Sequence, residues 1–367
     1  MSIKKNNYSK DKFFMHLALM EAKKNLGNTG SNPSVGCVIV KNNCIISSSH
    51  TSESGRPHAE HNAIRLSKES LQNSEMYVTL EPCSHFGVTS PCVNKIISSK
   101  IRKVYFSIND EDNRSKGRSF KKLRDNKIKV KSGIHSLKIK NFYRSYIKNK
   151  NDILPFVSSK IAVSKDFFTK NRKKKWITNE YSRGRVHLLR SKHDCILTTS
   201  KTVIKDNPDL SCRIQGLEKR SPVKIILDQN LRIPTDSKII KLSKNKKMII
   251  FFNKINKKKI KKLKNFNIEL IHQSLNKKGE FDLEKILVKI KKIGFHRVFL
   301  EAGINLNNKF FTKNLIDDFY LFKSRFSIGK NGTKSFRNIS RMYLKNKRFL
   351  YEKINLFGDK LLLYKLK

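Results

Sequence analysis

Two short stretches hold residue types that do chemistry together: "PHAEHNAI" (57–64), with His58 and Glu60, and "EPCSHFGVTSPC" (81–92), with Cys83 and Cys92. One imidazole and two thiolates fill three corners of a tetrahedral zinc and leave the fourth open, as in catalytic rather than structural sites. A water in the open corner has its pKa lowered to about 7, which makes hydroxide available at neutral pH. Hydrolysis there also needs a proton carrier that is not itself a ligand, and Glu60, two residues after His58, is placed for that role. A single histidine or cysteine is usually structural. Here the conjunction and the order of H-x-E, P-C and P-C point to zinc at His58, Cys83 and Cys92, with Glu60 catalytic.

The surrounding pattern supplies elements to position these side chains. A helix near residues 10–26 leads into two β-rich runs, "VGCVIV" and "CIISSS", joined by "KNN", a hairpin signal. Then come a helix opening at "HAEHNAIRLS", a strand "MYVTL", a helix from "PCVNKIISS", a strand "KVYFSI", and a further helix and strand to residue 132. His58 and Glu60 thus open one helix, while Cys83 and Cys92 flank a loop that ends at another, where the helix dipole favours thiolates. Such alternation implies a sheet with helices on its faces. A helix within 135–154 fades into polar residues before Pro155, where the domain boundary is expected. The second half alternates through "FVSSKIAVS", "DCILTTS", "VKIILD", "KMIIFF" and "RVFLEAG", and ends in "FLYEKINLFGDKLLLYKLK", expected as a hairpin turning at Gly358 and Asp359.

Zinc nucleobase deaminases carry H-x-E followed by P-C-x-x-C, with the glutamate as general acid and base. "HAE" and "PC" match, but eight residues rather than two separate Cys83 from Cys92. Together with "NPSVGCVIV" (32–40), these motifs resemble the deaminase half of the bifunctional riboflavin-biosynthesis deaminase/reductase family. That family's pattern is N-P-x-V-G, H-A-E and E-P-C-x-x-x-G-x-x-P-P-C, from which this chain departs only at Ser90. The resemblance implies hydrolysis of the exocyclic amine of 2,5-diamino-6-ribosylamino-4(3H)-pyrimidinone 5′-phosphate, with Asn32 and His85 lining the pocket. It also implies an α/β fold: a cytidine-deaminase-like three-layer domain over 1–148 and a dihydrofolate-reductase-like domain over 153–367.

The second half lacks a G-x-G-x-x-G fingerprint after a strand. It resembles the reductase half of the same family, which binds NADPH without one, through "KIAVSKD" (160–166), "WIT" (176–178), "HLLRSKHDCILTTSKTVIKDNPDLSCR" (187–213), "IILD" (225–228) and "EAG" (301–303). The resemblance implies substrate contacts at Lys160, Arg190, Leu210, Arg213 and Glu301, and cofactor contacts at Ala162, Asp166, Trp176, Thr202, Asp206 and Gly303. The reaction expected is NADPH-dependent reduction of the ribosyl to the ribityl side chain. Homo-oligomerisation through this half is expected from the family alone. Three departures stand out: "SKDF" puts Phe167 where the family has glycine, "NRKKKW" replaces a Gly-Glu-Ser run, and "EAGINL" replaces E-G-G-P-T-L. A deaminase with a purely structural second half therefore stays open on the residues alone.

The formal net charge of +51 raises a nucleic-acid partner, or a polynucleotide deaminase. Lysine is scattered through all segments with Asn, Ile and Phe, and no arginine–aromatic cluster appears, so compositional bias explains the charge and no specific nucleic acid is expected. Cys37, Cys44, Cys195 and Cys212 sit in apolar, strand-like runs, which argues for reduced thiols and a reducing compartment. The first residues lack a cleavage site, and no segment approaches the roughly 18 uninterrupted apolar residues of a membrane span. The expectation is a cytoplasmic enzyme acting on a pyrimidine ribosyl phosphate, without a membrane partner.

Overall fold

Helix α1 (Lys10–Lys24) lies so close to strand β1 (Gly36–Lys41) that a methyl group on Gly36 would collide with the Ala18 carbonyl and the Ala22 nitrogen. This is the physical meaning of the glycine in "NPSVGCVIV". The computed structural model describes residues 9–367, so residues 1–8, where the expected 1–148 domain begins, lie outside the described residues. The chain divides into two compact units, Met1–Ile153 and Leu154–Lys367.

In the first unit, β1 pairs antiparallel with β2 (Cys44–His50) through a turn in which Asn42 and Asn43 both have positive φ. β1 also pairs antiparallel with β3 (Glu75–Leu80), and β4 (Lys103–Ile108) and β5 (Lys129–Ser132) extend the sheet in parallel, giving the order β2-β1-β3-β4-β5. Helix α2 (Ala59–Leu66) packs on the opposite face from α1: Ser47 donates to the Ala63 carbonyl, and Ser47 pairs with Ile39, one face over from Gly36. This is the expected three-layer arrangement. Two further helices, α3 (Cys92–Ser98) and α4 (Arg118–Asp125), follow β3 and β4. The expected helix at 135–154 divides at Tyr143 into α5 (Ser136–Phe142) and α6 (Arg144–Asn151). Buried Tyr143 is pinned through its hydroxyl to Thr79 Oγ1 at 2.6 Å and the Ser34 carbonyl at 3.2 Å, which fixes the break.

The second unit is built on strands β6 (Phe156–Val163), β8 (Cys195–Thr199), β9 (Val223–Leu227), β10 (Met248–Phe252), β11 (Ile268–His272), β12 (Arg297–Leu300), β13 (Asp318–Lys323), β15 (Phe349–Tyr351) and β16 (Lys360–Lys365). Their order is β11-β10-β9-β8-β12-β6-β13-β16-β15, parallel up to β13 and antiparallel at the last two pairings. A separate ribbon joins β7 (Phe168–Asn171) to β14 (Gly332–Ser335). Leu197, Ile225 and Ile249 enter one core cluster while their neighbours Ile196, Ile226 and Ile250 enter another. Both faces are therefore covered, as continuous apolar strands require. Helices α7 (Glu180–Arg190) and α8 (Ser200–Asp206) flank β8 and carry expected site residues.

The C-terminal strands pair as expected, but the connection from Tyr351 to Lys360 is longer than a tight hairpin, with positive φ at Phe357 and Gly358. Asp359 is occupied within it, accepting from the Asn179 N–H and the Ser182 hydroxyl. Cys37 and Cys195 are buried on strands as expected, whereas Cys44 is exposed at the hairpin and Cys212 is buried in a loop. Ten of the fifteen glycines have positive φ, and so do five asparagines: Asn42, Asn43, Asn73, Asn207 and Asn314. No helix among the described residues is long and apolar enough to cross a membrane.

Candidate active sites

Backbone geometry decides where the three metal donors meet. His58 precedes α2 in an extended conformation (φ −68°, ψ 161°), which stands its imidazole at the helix entrance. Cys92 opens α3 directly behind Pro91, whose restricted φ suits that entry. Cys83 lies in the loop between β3 and α3. His58 Nδ1 is 3.6 Å from Cys83 Sγ and 3.4 Å from Cys92 Sγ, and all three ligand atoms fall within 4.8 Å of one another. A tetrahedral zinc, with bonds of about 2.0–2.1 Å to nitrogen and about 2.3 Å to sulfur, separates such atoms by about 3.6 Å. The donor set therefore fits zinc, and it is the one group of this kind among the described residues. When bound, zinc supplies an acidified water at this point.

The protein's own charges are arranged around that group. Hydrogen bonds from the Cys92 thiol and from His58, and another from the Cys92 N–H at 3.2 Å, hold the Cys83 thiol well below its ordinary range, against the effect of burial. Cys92, donating to Cys83 and buried, is pushed the other way. Glu60 is fully buried on the first turn of α2, and burial pushes its carboxyl up to about 7; His58 opposes this and Cys83 adds to it. A carboxyl that exchanges its proton near neutrality is what proton shuttling needs.

Asn32 donates to the Gly55 carbonyl at 3.1 Å, and His85 shares a 2.8 Å hydrogen bond with the buried Ser115 hydroxyl. Sequence reasoning missed two supports of this loop, Ser115 and Glu81. Buried Glu81 accepts the N–H groups of Asp110 at 3.1 Å and Gly117 at 3.0 Å, and the Ser119 hydroxyl, so it braces the chain after β4 against the start of the cysteine loop. Its place at the head of "EPC" is the one signal that marked it.

In the second unit the expected substrate residues gather around Glu301, just past β12. Arg190 Nε and Nη2 each donate at 2.9 Å to its two oxygens, and Lys160 Nζ lies 3.0 Å away. Burial alone would raise the Glu301 carboxyl, but Arg190 and Lys160 outweigh it and hold it far below the usual range. Arg190 Nη1 also reaches the Ser211 carbonyl at 2.9 Å, and Lys224 donates to the Ser211 hydroxyl at 3.0 Å. Ser211 lies between Leu210 and Cys212, and Arg213 binds Asp209 at 3.1 Å on the same loop. Buried Leu210 has φ +58°, the kind of local strain that persists where surrounding structure enforces it. Ser211 and Lys224 were not found from the sequence, because Ser211 falls on an unspecified position inside the matched stretch 187–213 and Lys224 stands just outside "IILD".

The expected cofactor residues occupy separate segments, and no hydrogen bond among the described residues links them into one group. Asp166 accepts the N–H groups of Ile328 at 3.0 Å and Gly329 at 2.8 Å, which fixes the turn where Phe167 stands at φ +69°. Ala162 lies on β6. Thr202 bonds the cap residue Thr199 at the start of α8, and Asp206 ends that helix. The Trp176 ring is exposed, with Arg183 and Lys175 at 4.9 and 5.2 Å from its centre. Gly303 opens the helix Ile304–Thr312, and a side chain there would meet nothing within 4 Å. An open helix entrance and an exposed aromatic face suit the phosphates and rings of NADPH.

Comparison with known proteins adds the following. A family model described as the RibD C-terminal domain matches residues 155–352, and one described as the cytidine and deoxycytidylate deaminase zinc-binding region matches residues 8–108. The chain is 33% identical to the riboflavin biosynthesis protein RibD of Chlamydia trachomatis serovar D, over 89% of this chain and 88% of that one. It is 32% identical to the protein of the same name from Aquifex aeolicus, over 95% and 98%. The solved structure of a diaminohydroxyphosphoribosylaminopyrimidine deaminase/5-amino-6-(5-phosphoribosylamino)uracil reductase from Thermotoga maritima matches with TM-score 0.82 and 28% identity, covering 98% of this chain and 99% of that one.

Proposed function

The chain belongs to the RibD family of riboflavin-biosynthesis proteins, and from that premise we propose a role for each group of residues. The enzyme is bifunctional: zinc-dependent deamination of 2,5-diamino-6-ribosylamino-4(3H)-pyrimidinone 5′-phosphate is followed by NADPH-dependent reduction of the ribosyl side chain to ribityl. The match over 155–352 speaks against a second half that is only a scaffold.

The observation that carries our assignment is the convergence of His58, Cys83 and Cys92 beside buried Glu60. Glu60 takes a proton from the attacking water and returns it to the departing amino nitrogen, so ammonia leaves neutral. Asn32 and His85 line the substrate pocket, and Ser115 fixes the rotation of His85.

In the second unit, Lys160, Arg190, Arg213 and Lys224 outnumber Glu301 and Asp209 by two formal charges, four against two, which suits a dianionic phosphate ester. Glu301 aligns Lys160 and Arg190, and Leu210 and Arg213 complete the substrate side. Ala162, Asp166, Trp176, Thr202, Asp206 and Gly303 form the cofactor side, where NADPH supplies hydride when bound. We assign 1–148 and 153–367 to the two activities. Six free cysteines support a cytoplasmic setting, and we take the enzyme to be a homo-oligomer without a specific nucleic-acid partner.

Product analysis tests this reading. Zinc-loaded protein and the diaminopyrimidinone ribosyl phosphate are expected to yield the deaminated ribosyl product alone, and the ribityl product once NADPH is added. Accumulation of the ribosyl product despite NADPH would overturn the reductase assignment.

A further inference from the structure

We propose that Arg56 is the residue by which the first unit recognises the 5′-phosphate of its substrate; the proposal rests on the deaminase reading above. Arg56 stands two residues before His58, at the approach to α2. Its Nη1 donates to Thr89 Oγ1 at 2.6 Å, so the side chain reaches across to the loop that carries Cys83, His85 and Cys92. That hydroxyl is the one polar partner of the guanidinium among the described residues, and no carboxylate neutralises it.

The geometry at Gly87 points to what the remaining donors are for. A methyl group on Gly87 would lie 3.5 Å from Arg56 Nη2 and 4.0 Å from His85 Nε2. The missing side chain therefore leaves a space flanked by a guanidinium and an imidazole. His85 is turned for this, because its Nδ1 faces Ser115 and its Nε2 is left for the space. A planar guanidinium with unspent N–H groups matches a phosphate better than a flexible ammonium would. The ring to be deaminated must lie at the His58–Cys83–Cys92 group, and its ribose phosphate must extend outward. Arg56 is the cation tied to the loop that borders that exit.

The test separates phosphate recognition from deamination. Deamination alone, without NADPH, is measured on the ribosyl phosphate and on its dephosphorylated riboside, with zinc content determined for each variant. Arg56→Gln is expected to raise KM for the phosphate about tenfold to a hundredfold, the usual effect of losing a charge-assisted hydrogen bond. KM for the riboside is expected to change less than about twofold, since that interaction is absent from it. Arg56→Lys recovers part of the loss. Gly87→Ala, whose methyl makes only ordinary contacts, is expected to raise KM for the phosphate by filling the space. An unchanged phosphate-to-riboside preference in zinc-replete Arg56→Gln would overturn the proposal. If the unaltered zinc-loaded chain deaminates neither compound, the deaminase reading fails and the proposal falls with it.

Discussion

Arg190 meets Glu301 side-on, with Nε and Nη2 each 2.9 Å from a different carboxylate oxygen, and the two side chains keep only 10% and 12% of their exposure. Lys160 completes the triad. Removing the anion strands two cations in a nearly closed space, which costs about 3–5 kcal/mol. Glu301→Gln is expected to lower the melting temperature of the second unit by about 10 °C and to abolish reduction while sparing deamination. Calorimetry and separate assays of each step check this. The folded carboxyl is held below its unfolded value, so the pair stabilises fully above about pH 4.3 and its contribution is lost as pH falls further.

Glu60 and Cys83 should fail in different ways. Glu60→Gln removes the proton carrier but no metal donor, so zinc content is expected to stay near one per chain while deamination falls by about 10²–10⁴-fold. Cys83→Ser removes a ligand and is expected to lose both zinc and activity. Metal analysis beside the deamination rate distinguishes them. An active Glu60→Gln enzyme would refute the proton-carrier role.

His193 gives the second unit an acid sensitivity of its own. Burial lowers its pKa to about 3; its Nδ1–H donates to the Leu189 carbonyl at 2.7 Å, and its buried Nε2 has no partner. Between about pH 6.5 and pH 3 the unfolded chain takes up a proton that the folded chain refuses. Stability therefore falls with pH by about 1.4 kcal/mol per unit from this group. In His193→Gln that slope is expected to disappear, so melting curves of the two proteins should converge as pH drops from 6.5 to 4.5.

Gly36→Ala is expected to prevent stable folding of the first unit. Its methyl group meets the backbone of α1 at Ala18 and Ala22 rather than a flexible side chain, so relief requires moving the helix off the sheet. Overpacking of this kind costs about 3 kcal/mol or more. Soluble yield and near-ultraviolet circular dichroism report the outcome.

How much of this was readable beforehand depends on how local each cause is. The metal donors were legible because His58 and Cys92 each stand at a helix start and Cys83 follows its own proline in the same short stretch, and the "KNN" turn because two asparagines tolerate left-handed backbone. Glu81, Ser115 and Ser211 were not. Their partners lie on other segments and become neighbours only once β4 lies beside β3, or once α7 meets the loop after α8. β11 and β13 escaped notice because charged residues interrupt or bound their apolar runs, and the β7–β14 ribbon has no apolar pattern at all. The single helix expected before Pro155 divides at Tyr143 for a reason that lies on β3, at Thr79.

The asparagines at left-handed positions matter for the chain before it folds. Fifteen glycines in 367 residues is sparse, since an average composition of about 7% would place about 26 there. At Asn42, Asn43, Asn73, Asn207 and Asn314 a side chain with fewer accessible backbone states does the work glycine often does. A side chain there restricts the denatured ensemble relative to glycine, an effect of about 0.4–1 kcal/mol that is set against the cost of holding a non-glycine residue in left-handed backbone. Compared with a glycine at the same position, each of these asparagines leaves less backbone entropy for folding to remove.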